Sequence, residues 1–79
     1  MTGRAPMAYT DADLDLANRH VAEGVRRIAG LEQGIADAKA LGQPTELAES
    51  ALETMRATLA LMISHQNLIA ASLGTGKTP

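Results

Sequence analysis

The sequence predicts an all-α fold: one antiparallel two-helix hairpin, coiled-coil-like, that dimerises into a four-helix bundle. Three observations lead there. A single strong break, Gly42-Gln43-Pro44, divides the chain. Apolar residues recur at heptad spacing on both sides of it. When the chain is folded at the break, charges of opposite sign fall beside one another across one flank.

The first helix is expected over 11–41. Thr10 is its N-cap, and Asp13 three residues later completes a capping box. Asp11, Asp13 and Asp15 put negative charge at the positive end of the helix dipole, so these carboxylates are explained without catalysis. Gly42 is placed to take the left-handed cap, and Pro44 to prevent continuation. The turn is 42–44. The second helix is expected over 45–73, with Thr45 as N-cap and Gly74 as its terminal cap. Each helix is then about 45 Å long at about 1.5 Å per residue. Residues 1–9 and 74–79 are expected to be flexible tails around a single hairpin domain, 10–73.

Leu14, Val21, Ile28 and Ile35 recur every seventh residue, with Ala17, Gly24, Leu31 and Ala38 three behind them. In the second helix Leu52, Leu59, Gln66 and Leu73 form one row, and Ala48, Met55, Met62 and Ile69 the other. These are a and d seams. Antiparallel pairing sets Leu14 against Leu73, Ala17 against Ile69, Val21 against Gln66 and Gly24 against Met62. It continues with Ile28 against Leu59, Leu31 against Met55, Ile35 against Leu52 and Ala38 against Ala48. Small faces large often enough to interdigitate. Met55 and Met62 are core in this reading. Gln66, the one polar residue in the rows, either fixes register or marks a frayed open end.

One flank carries Glu32 beside Arg56 and Lys39 beside Glu49, then Val25 beside Ile63. Such exposed ion pairs contribute about 0–1 kcal/mol each and set register more than stability. The opposite flank holds Gly34 beside Ala51, Arg27 beside Thr58, His20 beside His65 and Asp13 beside Ser72. On the second helix it widens into a stripe of Leu47, Ala51, Thr54, Thr58, Leu61, His65 and Leu68. On the first helix the same side offers Leu16, Gly30, Gly34 and Leu41. A lone hairpin cannot cover this stripe. A helical glycine costs about 1 kcal/mol relative to alanine, so close approach of another helix at Gly30 and Gly34 is the expected compensation. The predicted interface is therefore Gly30, Gly34, Leu47, Ala51, Thr58, Leu61, His65 and Leu68, facing a second copy or a partner helix.

Composition narrows function. The net charge of −2 offers no basic stripe for nucleic acid, and one tyrosine without Phe or Trp offers no stacking platform. There is no cysteine, hence no disulfide, thiolate metal site or cysteine nucleophile. No apolar run follows Arg4, so no signal peptide is read, and a cytoplasmic location is expected. Residues 57–76 lack Asp, Glu, Lys and Arg, but Ser64-His65-Gln66-Asn67 at their centre oppose a membrane span. Gly30 and Gly34 resemble a membrane dimerisation spacing, yet Glu32, Gln33 and Asp37 make their surroundings aqueous. No Lys/Arg-rich face suits a membrane surface.

Ala71, Gly76, Lys77 and Thr78 fit a relaxed phosphate-loop pattern. A phosphate loop needs a strand before it and a helix after it. Here a helix precedes and none is read before Pro79, so no nucleotide or other cofactor is expected. His20 and His65, with Glu23 one turn beyond His20, are the nearest approach to a metal site. Two imidazoles and a carboxylate without His-x3-His or Glu-x2-His spacing fit polar interfacial residues better than a zinc set. A metal-binding protein using His20 and His65 is the alternative function, and an acid-sensitive flank a further one. No nucleophile, base and orienting group stand together, so no enzyme is expected.

The run Ala17-Asn18-Arg19-His20-Val21-Ala22-Glu23-Gly24 and the run Ala57-Thr58-Leu59-Ala60-Leu61 resemble segments of short, uncharacterised helical-hairpin proteins from alphaproteobacteria. The likeness spans residues 11–73. It implies the hairpin fold and carries no assigned activity. The reading from sequence is a non-enzymatic protein–protein interaction or structural module.

Overall fold

The computed structural model describes residues 9–75 of the chain, without the side chain of Thr75. Two helices, α1 (Asp11–Ala40) and α2 (Glu46–Thr75), pack antiparallel as a hairpin. Of the expected tails, 1–9 and 74–79, residues 1–8 and 76–79 lie outside the described residues.

α1 starts where its cap dictates. Thr10 is extended, its Oγ1 accepts from the Asp13 amide at 3.2 Å, and its own amide donates to Asp13 Oδ2 at 2.9 Å. Its end is a Schellman motif. Gly42 takes a φ of +72°, its amide donates to the Lys39 carbonyl at 3.0 Å, and the Gln43 amide donates to the Ala38 carbonyl at 2.9 Å. Leu41 is thus the C-cap rather than the last helical residue, and α1 stops one residue short of the expected bound.

The expected C-terminal bound of α2 is corrected. The helix continues through Gly74 to Thr75, so Gly74 is not a left-handed cap. The difference from Gly42 is physical. Pro44 stands two residues beyond Gly42 and forbids more helix, whereas after Gly74 the next proline is Pro79. Glycine alone costs a helix only about 1 kcal/mol. Thr45, level with the N-cap position, is buried, and its hydroxyl donates to Glu49 Oε2 one turn on.

The core is the expected seam. Ile28, Ile35, Leu52 and Ile69 are buried, and Leu31, Ala48, Met55 and Leu59 pack against the cluster around the first three. Within the described helices the positions withdrawn from solvent are those sixteen a and d residues, and the others are exposed. Gly24 sits at the closest point of this packing. A Cβ there would lie 3.1 Å from Leu59 Cδ1, tighter than ordinary contact, with Met62 Cε at 3.9 Å. No helix among the described residues is long and apolar enough to cross a membrane.

Candidate interaction face

Antiparallel packing leaves the hairpin two unlike flanks. On the first, Glu32 and Arg56 form a charge-assisted hydrogen bond, and Lys39 Nζ stands 3.5 Å from Glu49 Oε2. Both expected pairs are present. The Thr45 hydroxyl, and then the Lys39 ammonium, hold the Glu49 carboxyl below its ordinary value. Gln66 reaches the edge of this flank: its Nε2 donates to Asn18 Oδ1 at 2.6 Å. The polar residue in the seam therefore has an interhelical partner one turn from its apolar neighbour Val21. That bond spans the two helices near the open end of the hairpin.

The second flank is open. Leu47, Leu61 and Leu68 on α2 are 88%, 72% and 52% exposed, and Leu41 and Leu16 beside them are 74% and 47% exposed. A Cβ built on Gly30 or Gly34 meets nothing within 4 Å. Neither glycine lies at the contact between α1 and α2, in contrast to Gly24. Ala51, Thr54, Thr58 and His65 are exposed between the leucines. Val25 and Ile63 are exposed on the charged side, but as neighbours in a single place rather than along a stripe.

Two clefts furrow the open flank. The larger, about 360 Å³, runs between His20, Arg27, Thr54 and Thr58 with Met55, Leu59 and Met62 among its lining. Gly24 is also among its lining. The smaller, about 190 Å³, lies toward the open end and is lined by Leu16, Ala17, Ile69 and both histidines. Tyr9 closes one side of it. This corrects the expectation that residue 9 belongs to a loose tail. Tyr9 is half-buried, its hydroxyl is 3.4 Å from His65 Nε2, and the two rings meet edge to face at 5.9 Å.

His20 and His65 do line one cleft together, as their level in the register requires. His65 has Tyr9 as its polar neighbour. Among the described residues no three His, Asp, Glu or Cys side chains gather as a metal would need, so His20, His65 and Glu23 do not form a ligand set. Ala71, the first residue of the phosphate-loop-like run, is helical in α2, while Gly76, Lys77 and Thr78 lie outside the described residues. A helix, not a strand, leads into that run.

No protein-family model matches the chain, and no curated protein or solved structure matches it.

Proposed function

We propose that the hairpin is a non-enzymatic protein–protein interaction or structural module that docks another helical surface on its open flank. The observation that carries this reading is the row of Leu47, Leu61 and Leu68, all more than half exposed at heptad-compatible spacing on one line of α2. Solvent-exposed leucines scattered singly are ordinary; a row of them beside helical glycines with open space above is the pattern of a helix-docking face. The charged flank supplies a contrast on the same molecule, since its exposed surface near the turn is satisfied by its own ion pairs.

The reading is tested by Leu61→Glu. Sedimentation equilibrium of the wild type should show association, and the variant should raise its dissociation constant by about 100-fold, because a carboxylate would be buried without a partner. Circular dichroism should show most of the helix retained, as Leu61 is outside the seam. Association that survives the substitution would place the interface elsewhere.

A further inference from the structure

Resting on that reading, we infer that the surface docked on the open flank is a second copy of this chain, turned end for end about a two-fold axis that crosses the hairpin at Thr58. Two copies packed face to face can be related in only two ways. The two-fold axis runs either along the helices, bringing both turns to one end, or across them, bringing the turns to opposite ends. The residues of the face decide between these.

Place the axis across α1 midway between Ile28 and Ala29. The hairpin register sets that point level with Thr58, so one axis serves both helices. Along α1, Leu16 then meets the second copy's Leu41, and His20 meets its Asp37. Glu23 and Arg27 meet the second copy's Gly34 and Gly30. Along α2, with midpoints within about half a residue of Thr58, Leu47 meets the second copy's Leu68, Ala51 its His65 and Thr54 its Leu61.

Each of these matches is chemical as well as positional. Leucine meets leucine at both ends of the face. An imidazole meets a carboxylate: Asp37 is exposed and engaged by Gln33 through one oxygen at 2.9 Å, leaving the other to accept. The long side chains of Arg27 and Glu23 lie opposite glycines above which there is open space, with room to turn toward solvent. The bulky His65 enters the recess at the second copy's Ala51, beside the Asp37 that receives His20. The axis passes through the 360 Å³ cleft, whose rim at Thr54 receives the other copy's Leu61.

With the turns at one end, the same layers would meet their own kind. Gly34 and Ala51 would face Gly34 and Ala51 and leave a void, and four imidazoles would crowd one layer. Interdigitation of large with small favours the end-for-end arrangement. The area is of the right order. From their exposures the five leucines present roughly 600 Å² per copy, against the about 800 Å² that each partner of a standard interface buries.

The chain has no cysteine, so introduced thiols are its only ones. Leu47→Cys and Leu68→Cys, mixed in equal amounts and mildly oxidised, should yield at least about tenfold more disulfide-linked dimer than either alone, since a disulfide needs Cα atoms within about 7 Å. Both sites lie outside the seam, and circular dichroism checks that helix content is kept. If instead a mixture of Leu41→Cys and Leu47→Cys cross-links and the first mixture does not, the turns lie together. That result overturns the end-for-end register and leaves the face as assigned. If neither mixture cross-links and the wild type sediments as a folded monomer at the concentrations used, the second copy is not the occupant.

Discussion

The glycines give the proposed interface its sharpest thermodynamic signature, because Gly34→Ala should stabilise the single hairpin and weaken the proposed dimer. In the single hairpin a Cβ at residue 34 meets nothing within 4 Å, so only helix propensity responds. Alanine is better than glycine in a helix by about 1 kcal/mol, which raises the melting midpoint of a domain this size by about 4–8 °C. In the proposed end-for-end dimer the same position lies against the opposite copy at Glu23, and an added methyl crowds that contact. That costs about 1–3 kcal/mol at each of two equivalent sites, or at least roughly a 30-fold weaker dimer.

The assay is thermal unfolding followed by circular dichroism across a wide range of protein concentration. At concentrations below the dissociation constant the variant should melt above the wild type. At concentrations well above it that advantage should vanish or reverse, because each overpacked site loses at least about the 1 kcal/mol that propensity gains. Gly24→Ala is the internal comparison. Its Cβ would press on Leu59 Cδ1 at 3.1 Å inside the hairpin itself, so its gain in propensity is offset at every concentration. If Gly34→Ala raises the midpoint equally at all concentrations, Gly34 borders no interface and the proposed docking fails at that point.

Two further outcomes follow from the hairpin alone. Ile69 is the most deeply buried side chain, 2% exposed, and Ile69→Ala should cost about 2–5 kcal/mol in urea unfolding, against a refuting result of less than about 0.5 kcal/mol. Glu49 has a pKa lowered in the folded chain by the Thr45 hydroxyl and the Lys39 charge, so its carboxylate stabilises the fold above the unfolded value of 4.5 and loses that contribution as pH falls through the folded value. The difference in urea midpoint between wild type and Glu49→Gln should therefore be present at pH 7 and close as pH falls below the unfolded value of 4.5; a gap that persists unchanged in acid would assign it to something other than charge.

The seam was legible because burial in a two-helix hairpin depends on one period. Once Leu14, Val21, Ile28 and Ile35 set the inward line of α1, the antiparallel turn leaves α2 one line to oppose it, and the ion pairs at Glu32–Arg56 and Lys39–Glu49 select the level. The open flank was legible for the same reason, as whatever the seam does not use. What escaped the sequence lies off that period. Tyr9 precedes the N-cap and reads as tail. The signal for it was present, since an apolar residue just before the cap commonly packs back on the helix, but its contact is with His65, 56 residues away. The bond from Gln66 to Asn18 was not legible because an amide at the seam edge is free to turn toward either flank, and spacing fixes only the Cα.

The two flanks divide the work of specification. The charged flank is nearly closed by its own pairs, and these tie α1 to α2 at a single register close to the turn, where the loop already enforces proximity. The Gln66–Asn18 bond does the same near the open end, where no loop helps. Register fixed at both ends is what a second face needs: a slip of one heptad between α1 and α2 would move Leu47, Leu61 and Leu68 by a full two turns relative to Gly30, Gly34 and Leu16. An isologous dimer reads the relative level of both helices at once, so it can be no more specific than the hairpin that presents it. The polar contacts add little stability to this chain individually, and their weight lies in holding the open flank as one complementary surface.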